Sequence, residues 1–304
     1  MPKDKIKIYS VESFRDSYIQ PEPRLDTLLK LDFGKFFIVN VDELIRLIKL
    51  PVPPIRSTNH TLIYLTDGEV IMTIGSETYK IYKDECLVVP AGQVFSFANV
   101  DLNQGYLCNF HNDSIIGKFG KADLLKDFEF LRVWGNPRIR LGEQTSHFVA
   151  HLFSRILLDY SENGLTNPDI IQSYFIALLC EINQAYKPIS ASTQTNAVMI
   201  TNRFKELLFS DLKTTHRVTD YASQLNITPN HLNKSVRTIT GKSPTKWIDE
   251  AIVLEAKVLL HQSMLSISEV AAEVGIFDAS YFSRLFKKYE GVTPLAFRQM
   301  IEKS

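Results

Sequence analysis

From about residue 33 to residue 111 the apolar positions come in short β-branched and aromatic runs: FFIVNV, HTLIYLT, EVIMTIG, TYKIY and ECLVVP. The segments TDG, GSE, KDE and PAGQ punctuate them as turns. Strands this short with turns this close predict an antiparallel barrel or sandwich. Near Asp123 the pattern changes. In EQTSHFVAHLFSRILLDY, Phe148, Leu152 and Ile156 recur at helical spacing. After the break SENGLTNP a second helix is expected from about Asp169 to Tyr186, with Pro168 at its first position. So short a connection predicts an antiparallel helical hairpin. The stretch KPISASTQTN, residues 187–196, is polar and aperiodic and reads as a linker. Beyond it the periodicity is helical throughout.

The helical part contains a duplication. VTDYASQLNITPNHLNKSVRTITGKSP, residues 218–244, aligns with ISEVAAEVGIFDASYFSRLFKKYEGVTP, residues 267–294. Ala222 meets Ala271, Leu225 meets Val274 and Ile227 meets Ile276. After one extra residue in the second turn, Leu232 meets Phe282, Val236 meets Phe286, Gly241 meets Gly291 and Pro244 meets Pro294. Such detail describes one structural unit used twice. Each copy reads as a short helix, a tight turn and a second helix. Thr228 and Asp278 stand as caps of the second helices, with Pro229 at the first helical position in one copy. Leu232, Ser235, Val236 and Ile239 make the inner stripe of the first such helix. Phe282, Leu285, Phe286 and Tyr289 make that of the second.

The outer faces carry different chemistry. Asn230, Asn233, Lys234 and Arg237 line one, and Ser280, Ser283, Arg284, Lys287 and Lys288 line the other. Amide and guanidinium groups address base edges through paired hydrogen bonds, and Lys neutralises phosphate. His231 is read either as a DNA contact or as a plain surface residue. Between the copies, PTKWIDEAIVLEAKVLLHQS predicts a helix from about Thr245 to Gln262. At 1.5 Å per residue it spans roughly 27 Å. That approaches the ~34 Å between successive major-groove faces. A solvated basic helix in an ordinary bundle would explain one copy but not the duplicated pattern.

Length and charge refine this picture. A chain of 304 residues with 45% hydrophobic and 22% charged residues suits two soluble domains. Residues 197–304 hold 14 Lys and Arg against 11 Asp and Glu, leaving 20 against 23 elsewhere. This mild asymmetry points the C-terminal part toward a polyanion. Cys86, Cys108 and Cys180 are widely spaced and form no CxxC pair, so a structural zinc site is not expected. There is no signal-peptide run and no membrane-length apolar window, so a cytoplasmic protein without membrane contact is expected. Phosphate loops, GxSxG elbows and HExxH pairs are absent.

The paired helix-turn-helices, the segment from Gly275 to Lys288 and the ending from Gly291 to Arg298 resemble the DNA-binding domain of AraC/XylS-family bacterial transcription regulators. The resemblance covers residues 197–304. It implies base contacts at Asn230, Asn233 and Lys234, then at Ser280, Ser283 and Arg284. The chain departs from the family where the connecting helix often carries Arg, with Ala251 and Ile252 in that region. Residues 60–97, HTLIYLTDGEV through PAGQVFSF, are similar to the cupin-like effector domain of many such regulators. His60 and His111 are isolated, and Phe95 stands where relatives often have His, so no metal, cofactor or catalytic residue is expected. Arg56, His60, Tyr64 and Gln93 are candidates to line a ligand pocket, each weighed against a structural role.

The expected architecture is α+β: a cupin-like sensor barrel over 1–122, a helical dimerisation segment over 123–186, a linker over 187–196 and the DNA-binding domain over 197–304. The expected function is a sequence-specific DNA-binding transcription regulator modulated by a small-molecule effector. The alternative is a cupin-type metal enzyme with a regulatory helical appendage. Expected partners are double-stranded DNA, a second copy of the chain, a small effector, and RNA polymerase if the protein activates.

Overall fold

The computed structural model describes residues 8–23, 25–97, 103–115, 128–132, 136–166, 168–186 and 196–302. The linker read at 187–196 lies, up to residue 195, outside the described residues. Contacts divide the chain into two units that separate after Pro188.

The first unit holds strands β1 (Phe36–Asn40), β2 (Val52–Arg56), β3 (His60–Asp67), β4 (Glu69–Ile74), β5 (Glu77–Tyr82), β6 (Glu85–Val89), β7 (Val94–Phe97), β8 (Gln104–Phe110) and β9 (Arg138–Arg140). They form two antiparallel sheets, ordered β1-β8-β3-β6-β9 and β2-β7-β4-β5. The barrel expected from the strand pattern is therefore, among the described residues, two open sheets rather than a closed cylinder. Short helices α1 (Val11–Tyr18), α2 (Leu25–Leu28), α3 (Val41–Ile45) and α4 (Asn112–Ile115) connect or flank them. Two longer helices, α5 (Glu143–Asn163) and α6 (Pro168–Ala185), form the hairpin.

The strand alternation shows why β3 and β6 are apolar on both faces. Leu62, Tyr64, Cys86 and Val88 belong to the core beneath the helices. Ile63, Leu65, Leu87 and Val89 belong to the core between the sheets, with Ile55, Val70, Ile74 and Ile81. A strand covered on both sides reads as a continuous apolar run, as ECLVV does. The edge strand β2, VPPIR, has the opposite character. Its two prolines cannot donate to a ladder, so they are tolerated only at an edge or irregularity, and its register shifts between Val52 and Ile55.

Two sequence expectations change here. The buried stripe of α5 is Val149, Phe153, Ile156 and Tyr160, whereas Phe148 is 46% exposed and Leu152 only partly buried. The inward face is rotated by one residue because Val149 and Phe153, not Phe148 and Leu152, meet the sheet. Moreover, the segment expected to be helical from residue 123 contains strand β9, which pairs with β6 through Leu87 and Arg138, Cys86 and Ile139, and Glu85 and Arg140. Three residues are too few to show a periodicity, so that strand has no signature in the sequence.

The second unit is helical: α7 (Asn196–Asp211), α8 (Val218–Gln224), α9 (Pro229–Thr240), α10 (Pro244–Gln262), α11 (Ile267–Glu273), α12 (Ala279–Glu290) and α13 (Pro294–Glu302). Its core gathers Phe204 from α7, Tyr221 and Ala222 from α8, Leu232 and Val236 from α9, and Phe282 and Phe286 from α12 around the buried side of α10. Ile252 of α10 is buried and Ala251 half-buried, so the positions where the resembled family often has Arg serve packing here.

Candidate nucleic-acid interface

Each half of the helical unit repeats the same local construction. After α8, Asn226 takes a left-handed conformation with φ 55°, and the Ile227 N–H returns to the Ala222 carbonyl at 3.0 Å. After α11, Gly275 takes φ 81°, and the Ile276 N–H returns to the Ala271 carbonyl at 2.8 Å. Thr228 then accepts from the His231 N–H, with Pro229 at the first helical position. Asp278 accepts from the Ser280 and Tyr281 N–H groups at 2.8 and 3.0 Å. These backbone bonds, helped by the Arg284 charge, hold the Asp278 carboxyl below the usual carboxylate range although partial desolvation opposes them. Both reader helices stop at a left-handed glycine, Gly241 with φ 71° and Gly291 with φ 76°. Ser243-Pro244 and Thr293-Pro294 then start the next helix, the hydroxyls accepting from Lys246 and Ala296 N–H.

The same construction gives the same burial. From residue 231 to 240 and from 281 to 290 the order of buried, half-buried and exposed positions is identical. Leu232, Ser235 and Val236 are buried in α9, and Phe282, Leu285 and Phe286 in α12. Ile239 and Tyr289, assigned to the same stripes from spacing, are half-buried. Both helices therefore keep one face in the core and present the other outward.

That outward face is where the sequence placed its candidates. Asn230, His231, Lys234 and Arg237 are exposed and Asn233 is half-buried. In the second reader Ser280, Arg284, Lys287 and Lys288 are exposed and Ser283 is half-buried. Among the described residues, Lys234, Arg237, Arg284 and Lys287 make no ion pair. Lys288 differs. Its ammonium sits 3.5 Å from Asp249, which also accepts from the Tyr289 hydroxyl at 2.9 Å. The amide nitrogen of Asn233 donates to the Pro229 carbonyl at 3.1 Å, leaving its oxygen as the outward acceptor.

The connecting helix fixes the two readers in one body. Trp247 of α10 donates to Thr240 at the end of α9 at 3.0 Å, and the ammonium of Lys242 lies over its ring while pairing with Glu250 at 2.9 Å. At the other reader Tyr289 reaches Asp249, and Lys257 pairs with Glu290 at 2.9 Å. With 19 residues, α10 is about 28 Å long at 1.5 Å per residue.

One residue escaped the sequence reading. The extra residue in the second turn is Phe277, which is 90% exposed, and Tyr281 one turn further is 47% exposed. The insertion itself was the available signal. Ile276 already fills the core position and Asp278 must cap the helix, so a residue squeezed between them has to point outward.

Two of the four ligand candidates of the first unit spend polar atoms on partners within the protein. The Ala91 N–H donates to His60 Nδ1 at 3.0 Å, so Nε2 carries the proton toward Asn112 Oδ1 at 2.8 Å, while the ring stacks on Phe110. Burial drives its pKa down to about 4, against the opposing hydrogen bond to Asn112. Tyr64 is buried, stacked on Phe153 and hydrogen-bonded to Ser146 Oγ at 2.8 Å. Burial pushes its phenol up to about 12. Both side chains are buried. Arg56 and Gln93 are half-buried at β2 and just before β7, within the other sheet. None of the four lines the cavity of about 240 Å³ beside β1 and α6 or the cleft of about 390 Å³ beside β9. Among the described residues no group of three or more His, Cys, Asp or Glu could hold a metal ion, and no helix is long and apolar enough to cross a membrane.

The family-model match agrees with this geometry. Residues 221–300 match the family model described as a helix-turn-helix domain. The chain is 24% identical over 267 residues to the Msm operon regulatory protein of Streptococcus mutans, covering 82% of this chain and 87% of that one. It is 25% identical over 256 residues to the HTH-type transcriptional regulator YisR of Bacillus subtilis, covering 80% and 86%. Among solved structures, fatty-acid-bound ToxT from Vibrio cholerae aligns over 89% of this chain and 95% of its own, at 14% identity and a TM-score of 0.42. Residues 221–300 thus carry a helix-turn-helix domain, within the stretch that resembles the AraC/XylS regulators.

Proposed function

We propose that this protein is a sequence-specific DNA-binding transcription regulator, acting in the cytoplasm, whose α9 and α12 read two successive major-groove faces of one duplex. The observation that carries this reading is the repeated burial pattern. Two capped helices turn inner stripes of the same burial pattern to one core and leave Lys234, Arg237, Arg284 and Lys287 outside any ion pair among the described residues. Within each face amide, hydroxyl and guanidinium groups and Lys234 address bases, while Lys287 and Lys288 neutralise phosphate. Asn230, Asn233, Lys234, Ser280, Ser283 and Arg284 serve as base contacts; His231 and Arg237 flank them. Lys287 is the stronger phosphate contact, because Lys288 must first leave Asp249. The exposed Phe277 and Tyr281 give the second reader an apolar surface suited to thymine methyl groups.

In this reading the first unit senses a small effector and pairs two copies of the chain. Ile156, Phe175, Leu178 and Leu179 of the hairpin are used up in its own core. What remains outside on the hairpin is Phe148, Leu158, Ile170 and Tyr174, and this is the surface assigned to the second copy. RNA polymerase is a further partner if regulation is positive.

The test is a footprint with residues 197–304, whose core shares no residue with the cores of the first unit. The fragment should protect the same bases as the full chain, more weakly because it is monovalent. A full chain that footprints while the fragment does not would place DNA recognition elsewhere.

A further inference from the structure

On β9 two guanidinium groups meet a single carboxylate. Strand alternation puts Arg138 and Arg140 on one face, and the antiparallel register sets Arg140 opposite Glu85 of β6. Arg138 grips Glu85 in a fork, its Nε 3.0 Å from Oε2 and its Nη2 2.8 Å from Oε1. The Tyr82 N–H adds a bond at 3.1 Å. Burial by itself would raise the Glu85 carboxyl. The Arg138 hydrogen bonds, the Tyr82 N–H and the charges of both arginines outweigh it and hold the group below its ordinary value.

One buried carboxylate needs one cation. Arg138 supplies it, and Arg140 is in excess. Its Nε also touches Glu85 Oε1 at 2.8 Å, yet its side chain is 73% exposed and its terminal nitrogens have no acceptor among the described residues. These side chains line the cleft of about 390 Å³, together with Tyr79, Asn136, Ile139 and Ala185. Asn136 spends its side-chain oxygen on the Arg138 N–H at 3.2 Å, which leaves its amide hydrogens to donate. Among the described residues the rim thus combines a net positive charge with unspent donors and lacks a spare acceptor of matching charge. Its volume lies within the range of small-molecule sites.

We propose that this cleft is an effector site for a small organic oxyanion, a carboxylate or a phosphate ester, held chiefly by the fork of Arg140 and the amide of Asn136. Guanidinium recognises both groups through the same paired hydrogen bonds. The position suits regulation. Ala185 ends α6, after which the chain runs on to the DNA-binding unit, and β9 leads through Leu141 and Gly142 into α5. A ligand bridging β9 and Ala185 therefore acts on both helices of the hairpin at once. The assignment rests on the regulator reading given above.

The experiment uses the full chain, titrated calorimetrically with inorganic phosphate and with gluconate at constant chloride, beside the Arg140→Gln variant. Thermal unfolding of the unliganded variant verifies its fold, which an exposed substitution should leave intact. At least one anion should saturate, and R140Q should bind it about tenfold more weakly or worse. Saturation by phosphate alone marks the natural ligand as a phosphate ester, by gluconate alone as a carboxylate, and by both as either. The anion should also shift the DNA affinity of the parent chain and leave that of R140Q unmoved, with ionic strength held fixed to remove screening. No saturable binding, equal binding by R140Q, or binding without any change in DNA affinity would each overturn the proposal. A chain that binds DNA specifically yet ignores both anions would leave the regulator reading intact, whereas one that binds no DNA would remove that reading too.

Discussion

Replacing Arg284 by alanine should change which DNA the chain prefers, whereas replacing Lys287 should change how tightly it holds any DNA. Both side chains are exposed on α12 and neither joins an ion pair among the described residues. Alanine is a good helix former, and the Asp278 cap keeps its bonds from Ser280 and Tyr281. Stability should therefore stay within about 0.5 kcal/mol of the parent, so a binding change reports lost DNA contacts. If the Arg284 fork pairs with a base, its removal costs about 1–3 kcal/mol, or roughly 5- to 150-fold, on the preferred site only. Lys287, as one phosphate contact, contributes about 0.9 to the log–log salt slope. Over a fourfold rise in salt, from about 50 to about 200 mM, its removal should shrink the parent's loss of affinity by roughly 3.5-fold. Fluorescence anisotropy of the full chain on a preferred duplex and on a scrambled one, across that salt range, separates the two effects. Equal loss on both duplexes for both variants would refute the division of labour within α12.

The duplicated turns give a matched pair of tests. Gly275→Ala should strongly destabilise the helical unit, because at φ 81° a Cβ would run into the Lys213 carbonyl oxygen. Gly241→Ala meets nothing within 4 Å and should cost only the left-handed strain, about 1–2 kcal/mol. Equal losses in chemical denaturation would contradict that packing. The first unit should lose stability as pH falls from about 6.5 to about 4, since the unfolded chain protonates His60 before the folded one does, and level off below. At 1.36 kcal/mol per pH unit this amounts to about 3 kcal/mol, and His60→Gln should flatten the curve by that amount. An unchanged slope in the variant would exonerate His60. Phe148→Asp with Leu158→Glu should shift micromolar protein toward monomer in sedimentation, and a parent chain that is already monomeric would put the interface elsewhere.

The helical unit was the more legible half, for physical reasons. Its signals are local: caps at Thr228 and Asp278, stops at Gly241 and Gly291, and a stripe recurring within twelve residues. Duplication then let one copy confirm the other. The sheet unit hides its information in long-range pairing. β2 is masked by Pro53 and Pro54, which an edge strand tolerates, and β9 is held by pairing with β6 across some fifty residues. On α5 a one-residue rotation separated the expected stripe from the observed one, because Phe148 and Val149 are both apolar and only the sheet selects between them. The surroundings of the ligand candidates were hidden for a related reason. His60 and Tyr64 look available in sequence, but partners as distant as Asn112 and Ser146 occupy their polar atoms. The Arg138–Arg140 cleft likewise joins Tyr79, Asn136 and Ala185, which nothing in the linear chain brings together.

The most direct test of the central claim is selection of genomic fragments by the purified full chain, followed by sequencing of those retained at physiological salt. The account predicts enrichment of a motif with two recognition elements about 10–10.5 base pairs apart, the spacing of successive major-groove faces presented to α9 and α12. Base changes in one element should be felt by Asn230 and Asn233 variants, and in the other by Ser283 and Arg284 variants. Retention of fragments without a shared motif, or with a single element insensitive to one reader helix, would contradict it.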